Sequence, residues 1–307
     1  RSRGLGDVYK RQSEEVGDTL RSRGFRIGFL EYPVGERKSI DIIARRGPEK
    51  LLIKVSYEVD NVGQKEAYEL TAISSVFGGL GLLIGRKTKK KELENFVVYE
   101  RHGIPAITPE TLEELVDREK IFVYADRGGY YVRVDGRKLR KKREEMNMSL
   151  GDLAYLLGVS RKAVYEYERS KMNLSLTTAL KLIEIFGEEI LAPLNIDELR
   201  EREKTTIRKA KVTLRNAKLR RIVYELSKIG VGTVAATEKT PIDLAVKSKD
   251  ELAIASKDNV SRPEHLGLKE ESLETFSKIL NVKSLIIDDL RKVIDILRNE
   301  FSRREWE

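Results

Sequence analysis

In the stretch "LGDLAYLLGVSRKAVYEYERS", residues 150–170, two cations open a helix. Arg161 and Lys162 directly follow Ser160, a residue type that caps helix N-termini. The macrodipole puts partial positive charge at that end, so two cations there are opposed unless an anion is the partner. Their chemistry would therefore be electrostatic recognition, with no bond made or broken. The rest of the chain narrows the choice. Its 307 residues hold no cysteine and only two histidines, His102 and His265. That excludes thiolate metal sites, disulfides, cysteine nucleophiles and a histidine-based metal centre. Lys and Arg number 59 against 50 Asp and Glu, a formal net charge of +9 that suits a polyanionic partner. No signal peptide or membrane-length apolar run is visible, and the expected setting is soluble and cytoplasmic.

The elements that must position Arg161 and Lys162 are short and sharply punctuated. Ser149 caps a helix over 150–157, Gly158 ends it at positive φ, and Ser160 caps the next helix, 161–169. Only Gly158 and Val159 lie between the first helix and the second cap, which is a helix-turn-helix spacing. Ala154 supplies the small residue for a close helix crossing; Leu153, Leu157, Val159, Val164 and Tyr167 supply the shared core. Upstream, "DGRKLRKKREEMNM" reads as a helix after an Asp135 cap, with Leu139 and Met146 facing inward. Downstream, "SLTTALKLIEIFG" predicts a helix from Ser175 to Gly187 with Leu176, Leu180, Ile183 and Phe186 on its buried stripe. Seven of the eleven residues from Arg133 to Arg143 are Lys or Arg. Arg137, Lys138, Arg140, Lys141 and Lys142 are candidate phosphate anchors, which position a duplex without reading it.

Residues 137–187 resemble the lambda repressor/Cro class of helix-turn-helix domains, through "SLGDLAYLLGVSRKAVYEYERSKMNLSLTTALKLIEIFG". Leu150 stands where a Gln is common, Ser170 where Gly is usual and Leu174 where Pro is usual. The resemblance implies a second helix lying in the major groove, with Arg161, Lys162 and Ala163 at base edges and Glu166 one turn on. Arg161 would fork onto a guanine, Ala163 would meet a thymine methyl, and Ser160 would add a phosphate contact. "IFVYADRGGYYVRVD", residues 121–135, reads as a β-hairpin turning at Gly128-Gly129, with Phe122, Tyr124, Tyr130 and Tyr131 including a packed face.

On either side the sequence reads as α/β. Residues 13–118 run helix, three strands, helix, strand, an order that resembles the restriction-endonuclease-like fold. That resemblance implies a metal-binding acid on the second strand and a Glu-x-Lys on the third. Asp41 stands at the first acid position, but "LLIKVS" puts Lys54 at the second and Ser56 at the lysine. The unit reads as catalytically degenerate, with Asp41 structural. The C-terminal region repeats the pattern: "PIDLAVKSKDELAIASKD" mirrors "SIDIIARRGPEKLLIKVS", with Asp243 opposite Asp41 and Ala255 and Lys257 near the second acid and lysine. At one offset, Leu70, Ile73, Phe77, Leu82, Leu83 and Ile84 meet Leu273, Phe276, Leu280, Leu285, Ile286 and Ile287, which reads as an internal duplication.

The expected fold is multidomain: a central lambda-repressor-like helical domain between two restriction-endonuclease-like α/β domains. Residues 1–12, ending in "DVYKRQ", read as a non-native scar of library origin and leave the native start open. Then come a degenerate nuclease-like domain over 13–118, a hairpin and helix-turn-helix domain over 119–195, a basic linker over 196–206 and a second nuclease-like domain over 207–307. The whole arrangement, including "DRGGYYVR", resembles the archaeal helix-turn-helix transcriptional regulators. This implies sequence-specific double-stranded DNA binding, a homodimer, no catalysis, no metal and no cofactor. Two other readings stay open: a DNA-processing nuclease, and an antitoxin-like interaction protein with autoregulatory DNA binding. Operator, effector and sign of regulation are not legible.

Overall fold

The computed structural model describes residues 2–118, 120–126, 128–207, 217–228, 233–247, 251–257, 260, 262–289 and 292–295. A first helix, α1 (Ser2–Ser22), leads into strands β1 (Arg26–Phe29), β2 (Ile42–Arg46) and β3 (Glu49–Val55). Helix α2 (Gln64–Val76) crosses over to β4 (Leu80–Ile84); β5 (Val97–Arg101), β6 (Ile104–Ile107) and α3 (Pro109–Val116) complete the unit. Strands β1 to β3 pair antiparallel, whereas β3 and β4 run parallel, as a helical crossover requires. The period of two explains why the middle of β3, Leu51 to Ile53, is apolar on both faces. Leu51, Ile53 and Val55 point into a core with α1 and α3, while Leu52 points into a second core with Leu70 and Ile73 of α2 and with Phe77, the helix's C-terminal cap.

The helix α1 begins eleven residues before the expected boundary at Ser13 and runs unbroken through the stretch read as a scar. Tyr9 hydrogen-bonds to the Asp41 carboxylate through its hydroxyl. The Gln12 amide, by contrast, is buried with no hydrogen-bond partner among the described residues.

The expected boundary near residue 118 is not a structural one either. Strands β7 (Val123–Asp126) and β8 (Gly129–Val132) form the hairpin, and β7 adds parallel to β5. The sheet thus continues as β1-β2-β3-β4-β6-β5-β7-β8-β9, the last being the two-residue strand Leu174–Ser175 inside the helical domain. Tyr124 is buried and stacks obliquely on Tyr131 at 5.9 Å, and Tyr130 is half-buried. The hairpin joins the sheet to the helices, β7 pairing with β5 and β8 with β9.

The helices that follow are α4 (Gly136–Glu145), α5 (Leu150–Leu157), α6 (Arg161–Glu168) and α7 (Leu176–Phe186). The region expected as a linker starts with α8 (Ile196–Ile207), whose Ile196 and Leu199 are buried in the α1/α3 core. It is an integral layer at its start; residues 208–216 lie outside the described residues. Beyond them α9 (Ala217–Lys228), β10 (Thr233–Ala236), β11 (Leu244–Lys247), β12 (Glu251–Ser256), α10 (Leu266–Leu280) and β13 (Lys283–Ile287) form a four-stranded sheet with its crossover helix. Its pairings are antiparallel, antiparallel, parallel, the same as in β1–β4.

The two α/β units dock reciprocally. Helix α2 packs on β10 and β11, while α10 packs on β1 and β2, and one apolar core runs through both. Phe77 meets Phe276 edge-on at 5.3 Å. Glu69 of α2 accepts hydrogen bonds from the backbone of Glu238 and Lys239; Ser272 of α10 accepts one from the backbone of Tyr32. Each crossover helix thus receives a loop of the other unit, the pattern of an isologous dimer written into one chain. The repeat is not exact: Leu83 is fully buried, but its counterpart Ile286 is 41% exposed. Among the described residues β13 has a neighbour on one side only, whereas β4 is flanked by β3 and β6.

Candidate nucleic-acid interface

The helix-turn-helix is assembled by local hydrogen bonds. The Ser149 hydroxyl accepts from the Asp152 N–H at 3.1 Å, and the Asp152 carboxylate accepts from the Ser149 N–H at 2.8 Å, a full capping box. Gly158 ends α5 in the left-handed region (φ 72°), and Lys181 of α7 donates to the freed Leu157 carbonyl at 3.0 Å. Ser160 then caps α6, accepting from the Ala163 N–H at 3.1 Å. Leu153, Ala154, Leu157, Val164 and Tyr167 are buried in one core with Leu139, and Val159 and Ala163 pack at its edge.

Two apolar assignments differ from expectation. Met146 sits at the C-terminal cap of α4 and is about half exposed. On α7 the buried face is Thr178, Ala179, Leu182 and Phe186, while Leu176 and Leu180 are exposed. Thr178 and Ala179 face inward beside Leu182 and Phe186. The three departures from the lambda repressor/Cro pattern have plain local roles. Leu150 packs against the core, Leu174 is fully buried in the β8–β9 pairing, and Ser170 takes the left-handed conformation (φ 53°) that favours Gly. The Ser170 hydroxyl accepts from the Gly136 N–H at 3.0 Å.

Gly136 marks the tightest crossing. A Cβ there would stand 2.3 Å from the Glu168 carbonyl oxygen and 2.6 Å from that of Tyr167. Backbone cannot yield as a side chain can, so α4 would have to move off α6. Gly136→Ala should destabilise the protein by roughly 1–3 kcal/mol and lower its unfolding temperature. An unchanged unfolding temperature would show that the two helices are not in this contact.

The outward surface of α6 carries Arg161, Lys162 and Tyr165, all exposed, with Glu166 half-buried and Ala163 partly turned to the core. Tyr165, not anticipated from the sequence, lies one turn after Arg161, and the Arg169 guanidinium stacks over its ring at 5.2 Å. The i, i+4 spacing of 161, 165 and 169 was the available signal. Among the described residues neither Arg161 nor Lys162 forms an ion pair, whereas most of the neighbouring basic run does. Arg140 meets Glu144 at 2.8 Å, Lys141 meets Glu145 at 3.7 Å, Lys142 meets Glu189 at 2.9 Å and Lys138 meets Asp135 at 4.0 Å. These exposed pairs are worth about 0–1 kcal/mol each, little enough to exchange for phosphate. Arg137 makes no ion pair among the described residues. Arg143 is different: buried, it grips Glu168 through two nitrogens and the Met148 carbonyl at 2.7 Å, bracing α4 against α6. Glu168 raises the guanidinium's affinity for its proton, so this cation belongs to the scaffold.

In the first α/β unit the nuclease-type positions are filled by an internal ion pair. Asp41 is buried, and its Oδ2 lies 3.0 Å from Lys54 Nζ and accepts from the Val55 N–H at 2.7 Å. Ser56 donates its hydroxyl to the Glu58 carbonyl at 2.8 Å. A cavity of about 510 Å³ opens beside them, lined in part by Lys54, Ser56, Glu66 and Lys87. A divalent cation does not fit these residues: an ammonium occupies the position of the second carboxylate, and a protonated lysine cannot ligate a metal. Among the described residues no three of His, Asp and Glu gather as a metal site.

The second unit neutralises its acid another way. Asp243 accepts from the Ser256 N–H at 2.6 Å and lies 2.7 Å from Lys269 Nζ. The cation comes from α10, not from the strand region of Ala255 and Lys257; Lys257 pairs outward with Asp288 at 3.4 Å. At the offset that matches Leu70 with Leu273, Lys269 falls opposite Glu66. Glu66 itself reaches across to Lys239 at 2.9 Å; although burial opposes it, Lys239 and the Gly63 N–H hold its carboxyl below the usual range.

Comparison with known proteins accords with this geometry. Residues 10–121 match the PD-(D/E)XK superfamily domain, and residues 139–191 match the helix-turn-helix model. A protein of Methanothermobacter thermautotrophicus is 37% identical over 76% of this chain and 70% of its own length. One from Thermococcus gammatolerans is 32% identical over 91% and 85%, and one from Pyrococcus abyssi 31% identical over 92% and 94%. All three are named "Putative HTH-type transcriptional regulatory protein". Among the described residues no helix is long and apolar enough to cross a membrane. The chain belongs to this archaeal family of HTH-type transcriptional regulatory proteins, a helix-turn-helix DNA-binding domain joined to a restriction-endonuclease-like fold.

Proposed function

We propose that the chain is a sequence-specific double-stranded DNA-binding transcriptional regulator that reads the major groove with α6, binds as a homodimer and cuts no DNA. The observation that carries this reading is the face of α6. Arg161 and Lys162 stand exposed and without ion pairs among the described residues, at a helix start where the dipole opposes them. A phosphate-lined groove offers the missing anion, and base edges offer the acceptors that Arg and Lys fit. Ser160 and the partly paired cations Arg137, Lys138, Arg140, Lys141 and Lys142 would hold the flanking backbone. Homodimerisation follows from reach, because one such helix reads only a few base pairs and this class pairs half-sites about one turn apart. The α/β units act as scaffold and spacer: Lys54 and Lys269 neutralise the acids that a nuclease would give to metal.

The test is selection of bound duplexes from a random pool by the full chain, followed by sedimentation with the recovered site and incubation with Mg²⁺ or Mn²⁺. A recovered motif with two-fold symmetry, two chains per site and intact DNA are the expected results. Recovery of no motif would sink the regulator reading, and a single chain per site would sink the homodimer. Metal-dependent cleavage lost in Asp41→Ala would instead promote a DNA-processing enzyme.

A further inference from the structure

Five of the six residues from Arg86 to Lys91 are cationic, and they belong to the nuclease-like unit, not to the reading head. A run of this kind is ordinarily a loose, solvated loop. Here it is held. The Thr88 hydroxyl accepts from the Lys90 and Lys91 N–H groups at 3.2 and 3.0 Å, and the Thr88 N–H donates to the Lys91 carbonyl at 2.8 Å. Asp60 accepts from the Lys89 N–H at 3.0 Å, and Lys87 bridges to both Glu58 and Glu92. Fixing backbone costs about 1–2 kcal/mol per residue, and fixing it with like charges side by side costs more. At its tip Lys89 and Lys90 are exposed and form no ion pair among the described residues.

The direction of this tip is set by its last lysine. Lys91 donates to the Tyr130 hydroxyl at 2.6 Å and lies 5.0 Å from the centre of that ring. Tyr130 is on β8, two residues before Val132, so the two side chains share one face of the sheet; Val132 pairs with Leu174, and both are buried in the core of the helical domain. The loop of Lys89, Lys90 and Lys91, the last also 3.8 Å from Glu94, therefore meets the sheet on the face that carries the helical domain.

We propose that Lys89 and Lys90 form a second phosphate-binding prong, delivered by the nuclease-like unit, that grips the duplex backbone beyond the base pairs read by α6. The proposal rests on the DNA-reading function above. The partner is a duplex because its phosphates continue at fixed spacing past the site, where a rigid prong can meet them. The contact is with phosphate alone, so it adds affinity and salt dependence without preference for sequence. It also gives the degenerate domain a part in binding that needs no metal.

The test uses the full chain and a duplex recovered by selection, in two lengths: the site alone, and the site with flanks of about 1.5 helical turns on each side. The affinity of wild type and of the Lys89→Gln/Lys90→Gln variant is measured against salt concentration. On the long duplex the variant's slope of log affinity against log salt should be shallower by about 3.6, the contribution of two phosphates from each of the two chains on the site. On the short duplex the two proteins should coincide. Equal slopes on the long duplex, or an equal loss on both lengths, would overturn the prong while leaving α6 as the reader. If wild type selects no duplex, the reading function and the prong fall together. A loss seen with anionic vesicles and not with the flanked duplex would also overturn it, in favour of a membrane surface.

Discussion

Arg161→Ala and Lys162→Ala should each weaken binding to the selected duplex by about 10- to 100-fold, the ~1–3 kcal/mol of a good base contact. Both side chains are exposed on the first turn of α6, and that turn is rigid because Ser160 caps it and Val164 is fully buried beneath it. Truncation therefore removes contacts without moving the scaffold. Arg161→Lys should recover little, since an ammonium cannot reproduce the planar fork that spans two acceptors of guanine. Lys141→Ala is the contrast. Lys141 sits on α4, 3.7 Å from Glu145 and 78% exposed in its side chain, where it can offer charge to a phosphate but nothing to a base. Its loss should weaken all duplexes about equally and lower the salt slope by about one phosphate's worth for each chain bound. The two classes separate in one experiment: specific and unrelated duplexes titrated at two salt concentrations. If Arg161→Ala left the preference for the selected duplex intact, α6 would not be the reading helix.

The helix-turn-helix was legible because each of its signals is local. Ser149, Gly158, Ser160 and Ser175 act within a few residues of themselves, and each sits where its backbone chemistry demands. The errors came where a side chain's fate depends on another element. Leu176 and Leu180 look like a buried stripe, yet Ala179 is buried instead. The basic run over 133–143 reads as free charge, but Glu168, Glu189 and Glu198, all distant in sequence, pair with Arg143, Lys142 and Arg133. Tyr165 faces outward because Val164 and Tyr167 turn inward, a direction that its residue type does not show. The repeated strand–helix–strand pattern was visible; the reciprocal docking of α2 and α10 was not. A helix buried on both sides and a helix buried on one differ little in composition when both are rich in Leu, Ile and Phe.

The cation of the second unit was the least legible feature, and it carries the largest stability prediction. Lys269→Met should destabilise the protein by about 3–5 kcal/mol, the usual cost of leaving a buried charge without its partner. Lys269 and Asp243 are both nearly fully buried, Nζ and Oδ2 are 2.7 Å apart, and the same ammonium donates to the Ser256 carbonyl at 3.0 Å. The ring of Tyr32 closes the site from the first unit, 5.5 Å from the ammonium. Burial, then the Asp243 charge, pushes the Tyr32 hydroxyl up to about 12, so it stays neutral beside the pair. Methionine keeps the length and most of the volume of lysine, so packing loss is small and the measured change reports the charge. The double variant Asp243→Asn/Lys269→Met is the decisive partner. Asparagine still accepts from the Ser256 N–H, and no charge is left to strand, so most of the lost stability should return. The measurement is urea denaturation at neutral pH followed by circular dichroism, with the single and double variants beside wild type. A Lys269→Met midpoint equal to wild type would mean that Asp243 is neutralised by something other than α10. A double variant no better than the single would mean that the helix lysine acts by packing and not by charge.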